Sequence, residues 1–291
     1  MTTEMFFQMF LNGLSLGLVY VMVASGLALL MGTSRIFNFA HGEFYMGGAF
    51  VVYTMTEVFR IHYVLALLTA TFTMSLFGAI CYRFLLSRRQ GNFLSTAVAT
   101  LGLSMIMSQS AVLSLRGADF KYMRRVVGGM IKIGPVGLSV EKLSVMVLCL
   151  LFMVMLHYFL KRTKTGMALR AVALDSDVAE LQGINNKKMF LASMAAGCAL
   201  AGAAGGIIAP VLAISSTMGH DMLLFALMVL VLGGLGSVPG AVVGGLTIGL
   251  AESFGSHFVG SGLSEAFVFA FVAIIVYFRP QGLMGHPLEI D

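Results

Sequence analysis

The chain has 291 residues, of which 58% are apolar and only 11% charged, against about 25% charged in a typical soluble domain. Its 18 basic and 13 acidic side chains are too few to coat the surface that soluble cores of this length leave to water, so lipid is the solvent for most of it. The net charge of +5 does not indicate nucleic acid, because Lys and Arg fall between apolar runs rather than along one stripe.

A helix needs about 20 mostly apolar residues to cross a bilayer, and only a helix satisfies its own backbone groups there. The first such run, Phe10 to Met31, follows MTTEMFFQMF, which has no basic n-region and is expected to be a retained span rather than a cleaved signal. Next come Phe44 to Phe59, Tyr63 to Tyr82, Ser95 to Leu115 and Leu143 to Leu160. The last four are Met189 to Pro210, Met222 to Leu235, Ala241 to Phe258 and Leu263 to Phe278. These runs stay apolar on every face, unlike the alternating strands of a membrane barrel. The expected fold is all-α, a polytopic transmembrane helical bundle of about 8–9 spans with broken helices. It forms one domain over residues 1–291, with a long hydrophilic loop at about 161–188 and an external loop at about 116–142.

If the spans alternate, one side receives Arg35, Arg83, Arg88, Arg89, Lys161, Arg162, Lys164, Arg170, Lys187, Lys188 and Arg279. The other receives Arg60, Arg116, Lys121, Arg124, Arg125, Lys132 and Lys142. The positive-inside rule then puts the N-terminus outside, the loop Lys161 to Lys188 inside and the C-terminus inside. The basic outer stretch Arg116 to Lys142 runs against that bias and reads as a docking surface for an acidic partner.

Cys81, Cys149 and Cys198 lie in three different runs, so neither a disulfide framework nor a C-x-x-C metal spacing is available. No metal site is expected, and the Met-rich stretch Ser104 to Ser108 reads as adaptable packing. Glycines at small-xxx-small spacing in Gly197 to Gly206 and Gly240 to Gly249 mark close helix approaches.

Between the first two runs stands Arg35-Ile-Phe-Asn-Phe-Ala-His-Gly-Glu43, which brings Asn38, Phe39, His41 and Glu43 next to apolar sequence. Polar groups at membrane depth are expensive and usually face a cavity or partner, and a short run after a Gly-containing polar stretch reads as a broken helix beside a substrate path. The competing reading is an ordinary turn with Glu43 favoured by a helix N-terminus. A second interruption, Gly233-Gly-Leu-Gly-Ser-Val-Pro-Gly240, adds Gly233, Gly234, Gly236, Pro239 and Gly240 to the expected path. It lacks the strand, the helix-opening glycine spacing and the Lys of a phosphate cradle, so no ATP site is expected on this chain. Glu252, inside its run, is the last path candidate. The loop KRTKTGMALRAVALDSDVAELQGINNKK has helical periodicity, with Gly183 placed as a stop, and reads as a short docking helix.

Four segments resemble one family: NFAHGEFYMGGA (Asn38 to Ala49), G-x-x-x-RAxAxDxxxAxLxGI (Gly166 to Ile184), GGLGSVPGAVVGG (Gly233 to Gly245) and FRPQGL (Phe278 to Leu283). They are similar to the motifs of the LivH-type permease subunit of bacterial branched-chain amino-acid ABC importers. The chain departs from that pattern at Cys81 to Gln90. The resemblance implies a non-catalytic permease in the bacterial cytoplasmic (inner) membrane. Its expected partners are a homologous LivM-type permease subunit, two cytoplasmic ATPase subunits that bind the ATP, a periplasmic binding protein and membrane lipid. It also implies ATPase coupling through Gly166, Arg170, Asp175, Glu180 and Gly183. The alternatives are a secondary transporter or channel for small amides or carboxylates, and a membrane scaffold without cargo.

Overall fold

All nine apolar runs become helices in the computed structural model, which describes residues 3–89, 92–115, 120–124, 126, 128–133, 136–260 and 262–284. Helix α1 (Thr3–Ser34) is followed by α2 (His41–Tyr53), which widens into a π-helical turn, Thr54–Val58. Helix α3 (Tyr63–Cys81) runs on through a second π-helical turn, Tyr82–Leu86, and leads to α4 (Phe93–Leu115) and α5 (Val140–Arg162). The chain continues as α6 (Lys164–Leu174), α7 (Ser176–Leu181), α8 (Asn186–Ile208), α9 (Met218–Gly233), α10 (Val238–Phe258) and α11 (Ser264–Phe278). Six of these, α1, α3 with its extension, α4, α5, α8 and α10, are long and apolar enough to cross a membrane. Helices α2, α9 and α11, with 13, 16 and 15 residues, fall short of the usual span of about 20.

The fold is the expected all-α bundle, with four short strands added to it. Strands β1 (Phe120–Lys121), β2 (Met130–Ile133) and β3 (Val136–Ser139) precede α5, and β4 (Ile214–Ser215) precedes α9. Phe120 pairs with Ser215 between β1 and β4, and Met130 with Ser139 in the antiparallel β2–β3 hairpin. The expected external loop is thus partly a clasp on the bundle. Of its basic residues, Arg116, Arg125 and the side chain of Lys132 lie outside the described residues.

The loop expected at 161–188 is shorter than that and contains two helices rather than one. Helix α5 extends to Arg162, its terminal Lys161 and Arg162 complementing the helix dipole, and α8 begins at Asn186. Between them Asp175 splits the periodic stretch, because its Oδ1 accepts from the backbone N–H groups of Asp177 at 2.9 Å and Val178 at 3.0 Å and so starts a new helix. Gly183, at φ 82°, ends α7.

Helix α1 is the axis of the bundle, with every residue from 17 to 30 buried. Helix α10 lies antiparallel against it, Gly13 beside Leu250 and Gly17 beside Leu246, and α8 crosses it where Gly26 meets Gly197. In lipid, such backbone-to-backbone approach supplies the van der Waals contact that holds helices together. Helix α5, about 34 Å long at 1.5 Å per residue, separates two ends: the strands precede it and α6 and α7 follow it. Helix α1 begins at the strand end, where Lys142 Nζ donates to Asn12 Oδ1 at 2.8 Å. After α11 the tail returns to the other end, Leu283 N–H donating to the Leu232 carbonyl at 2.7 Å and Met284 N–H to that of Gly233 at 3.1 Å.

Candidate functional site: a re-entrant turn between two half-helices

Arg35, in the left-handed region at φ 51°, stops α1 and turns the chain back into the bundle. Asn38 organises the re-entry: its Oδ1 accepts from Ala40 N–H at 3.1 Å and its backbone carbonyl accepts from His41 N–H at 3.1 Å. Helix α2 then starts deep inside the protein. The His41 ring donates from Nε2 to the Val23 carbonyl at 3.1 Å, level with a point about 16 Å before the end of α1. Irregular backbone at such depth is tolerated only where it is buried in protein or lines a cavity, and Asn38, His41 and Glu43 are 0%, 0% and 3% exposed.

The partner of this re-entry is the start of α9. A Cβ on Gly42 would overlap the Gly219 carbonyl, so only two glycines allow the two helix beginnings to meet. Their N-termini converge on Glu43. Glu43 Oε1 accepts from Ser104 Oγ at 3.2 Å, while Oε2 lies against Gly219 and has no hydrogen-bond partner. His220 and Asp221, in the first turn of α9, are exposed at this depth and within electrostatic reach of Glu43. Among the described residues the ion pairs are those of Glu57 with Arg60 and with Arg124, both 3.9 Å. Neither Glu43 nor Asp221 has a cationic partner among them.

Helix α4 closes the site from outside with hydroxyl groups at every fourth residue, hence on one face. Thr100 Oγ1 accepts from Phe39 N–H at 3.3 Å, Ser104 holds Glu43, and Ser108 Oγ donates to the Ser216 carbonyl at 3.3 Å. Two cavities lie along α4 on either side of these contacts. One, of about 1070 Å³, opens between α2, α3 and α4 toward Lys121 and includes Met46, Phe77, Leu103 and Met107. The other, of about 470 Å³, lies at the opposite end beside Arg89, Asn92 and Ser95. Between them stand the Phe39–Thr100 and Glu43–Ser104 contacts and the Phe37 ring, 5.4 Å from that of Phe39 and 6.3 Å from that of Phe93.

The second interruption is elsewhere. Gly233, Gly234, Gly236, Pro239 and Gly240 form the α9–α10 turn at the α6 end, where Gly236 faces Gly32 and Gly282 packs on Gly234. Ser237 Oγ caps α10 by accepting from Gly240 N–H at 3.0 Å, and the Gly233 and Gly240 backbones touch, leaving no space between them. Glu252 is also apart from Glu43: it accepts from Tyr20 Oη at 2.5 Å across α1 and α10, and the Tyr20 ring stacks on Phe225 with centroids 4.8 Å apart. The structure therefore groups Asn38, Phe39, His41 and Glu43 and does not bring the late glycines or Glu252 to them.

Sequence reasoning missed Thr100, Ser104, Ser108, His220 and Asp221. The signal for the first three is present in Thr96, Thr100, Ser104 and Ser108, a hydroxyl at every fourth position of an apolar run. For the other two it is a His-Asp pair at the head of one.

Six helices long and apolar enough to cross a membrane, with a re-entrant turn buried among them, set the chain in the class of multi-pass membrane proteins. The family model for the branched-chain amino acid transport system permease component matches residues 9–277, and the chain belongs to that family. It is 30% identical to the high-affinity branched-chain amino acid transport system permease protein BraD of Pseudomonas aeruginosa, over 97% of this chain and 96% of that one. It is 27% identical to LivH of Escherichia coli K12, over 97% and 96%. The probable LivH of Methanocaldococcus jannaschii is 28% identical over 85% and 80%. Among solved structures, PsaBC from Streptococcus pneumoniae in complex with Fab covers 93% of this chain and 91% of that one, with a TM-score of 0.50 and 12% identity, a likeness of fold alone.

Proposed function

We propose that this chain is a permease subunit of an ATP-driven importer for branched-chain or related small apolar amino acids. It works beside a homologous permease subunit, two ATPase subunits that bind the ATP, and a binding protein that delivers cargo. The strand end faces outward and the α6–α7 end faces the cytoplasm. The observation that carries the reading is the edge of α6 and α7: outside the apolar spans, Leu174 and Leu181 are 87% and 85% exposed. With Met167 and Val178, also exposed on these helices, they give α6 and α7 an apolar edge of the kind that another protein buries. ATP-driven closure of the ATPase pair pulls on α6 and α7, and these pass the motion to α1, α5 and α8, which they touch. The segment of Asn38, Phe39, His41 and Glu43 stands beside the path that opens and closes in response, Asn38 and His41 holding it in place, with Gly166, Arg170, Asp175, Glu180 and Gly183 shaping the coupling pair.

The test is purification of the chain with its genomic neighbours, followed by uptake into proteoliposomes. Co-purification with ATPase subunits and leucine uptake that requires internal ATP support the reading. Uptake driven by an ion gradient, without ATPase subunits, returns the chain to the secondary-transporter alternative.

A further inference from the structure

Glu43 has features that path lining alone does not require. It is a carboxylate 3% exposed, buried among the helices, with one oxygen held by the Ser104 hydroxyl and the other unpartnered. His220 and Asp221, side by side in the first turn of α9, lie within electrostatic reach with opposite effects on it. A buried acceptor left open in a low-dielectric site is a seat for a cation. The same point presents the opposite polarity as well. The first amide N–H groups of α9 have no intrahelical acceptor, the Thr217 side chain does not cap them, and the helix dipole favours an anion there. One turn along α2 and α4 from the Glu43–Ser104 contact, Met46 and Met107 line the larger cavity, whose wall is mostly apolar.

A cation seat, an anion seat and an apolar chamber within one turn of each other match the three parts of an apolar α-amino acid. We propose that Glu43 and the first turn of α9 form a head-group station inside the permease: Glu43, assisted by Asp221, takes the ammonium group of the cargo, the free N–H groups of α9 take its carboxylate, and the side chain lies along α4. The exposed flank of the station, at His220 and Asp221, is closed by the second permease subunit. This rests on the path reading above and adds to it that the permease itself recognises a zwitterion. Helix α4 is the wall that moves, since hydroxyl contacts rather than extensive packing tie it to α2 and α9.

The test uses Ser104→Cys, a near-isosteric change that puts a thiol beside Glu43, in the assembled importer in proteoliposomes. The native cysteines, all buried, are replaced through Cys81→Ala, Cys149→Ala and Cys198→Ala, and assembly and ATPase activity are checked first. During turnover with leucine-free binding protein, and with each rate divided by that reagent's rate with a free thiol in solution, the introduced thiol should react about tenfold faster with an ammonium-bearing methanethiosulfonate than with the sulfonate-bearing one, the ratio expected of a nearby unpaired carboxylate. Adding Glu43→Gln should bring the ratio close to one, Asp221→Asn should lower it partway, and saturating leucine should slow both reagents. Labelling that leucine slows, but with no charge preference or one that survives Glu43→Gln, overturns the head-group station and leaves the path intact. A thiol that no reagent reaches during turnover, or that leucine does not protect, overturns the path reading and the station with it.

Discussion

Removing the exposed leucines of α6 and α7 is the sharpest perturbation of the coupling surface. Leu174→Ala and Leu181→Ala each delete three carbons that are 87% and 85% exposed in this chain, so neither change leaves a cavity in the bundle. At about 0.8 kcal/mol per buried methylene, and with partial cover by a partner, each should weaken ATPase binding by about 1 to 2 kcal/mol, or about five- to thirtyfold. The stability of the isolated permease should move by no more than about 0.5 kcal/mol, the usual range for surface changes. The assay is capture of the purified ATPase subunit on immobilised permease in detergent, with thermal unfolding of the permease alone as the control. Charge reversal nearby is less clean, because Glu180 accepts from Asn186 Nδ2 at 3.0 Å and Arg170 Nε donates to the Leu160 carbonyl at 3.1 Å, so altering either also loosens the coupling pair. Unchanged ATPase affinity in the double leucine variant, with the permease folded, would refute docking through this edge.

Four further outcomes follow from particular contacts. Glu43→Ala should cut leucine uptake at least tenfold while the complex still assembles with its ATPases, whereas normal uptake returns residues 35–43 to the reading of an ordinary turn. Gly236→Leu should abolish assembly or uptake, because Gly236 sits at φ 79° with the Gly32 backbone 3.0 Å from where a Cβ would stand; wild-type expression and uptake would show the turn to be a loose connector. Gly183→Val meets no neighbour within 4 Å, so its cost is conformational, about 1 to 2 kcal/mol for a side chain forced left-handed, and should appear as reduced cargo-stimulated ATPase activity with an unchanged melting temperature of the spans. Tyr20→Phe leaves Glu252 without its donor and should lower permease stability by about 1 to 3 kcal/mol, with leucine uptake per folded complex preserved; a selective loss of uptake would bring Glu252 back into the path.

The spans were legible because lipid imposes a single rule: apolar length becomes helix, and each apolar run in the sequence is a helix in the structure. The re-entry at Asn38 to Glu43 was legible for the complementary reason, that polar groups next to apolar sequence need a structural purpose. Its true partner was not, because the sequence offers two Gly-rich interruptions and nothing in their spacing says which one returns to the same depth. Gly233 to Gly240 is the richer in glycine and stands out, yet its glycines let α9 fold directly back on α10. The start of α9 carries only Gly219, His220 and Asp221, too little for periodicity to register. The break at Asp175 is not legible in a stretch that reads as a single helix, since a cap and a mid-helix aspartate look alike until the N–H groups it accepts from are seen.

The two half-helices also explain why the chain needs so few polar residues to serve a polar task. A full helix crossing the bilayer consumes its own N–H groups and offers a cargo only side chains. Beginning α9 inside the protein leaves its first-turn amides without intrahelical acceptors, and in the proposed station these would meet an anion without a lysine or arginine beside it. The cost is that the re-entrant backbone between α1 and α2 must be satisfied internally. Asn38 and Thr100 accept from its N–H groups, and His41 fastens the start of α2 to Val23. Asn38 and His41 are therefore scaffold for Glu43 more than contacts for cargo. Only Glu43, among the three polar residues of the segment, keeps an oxygen free toward the start of α9.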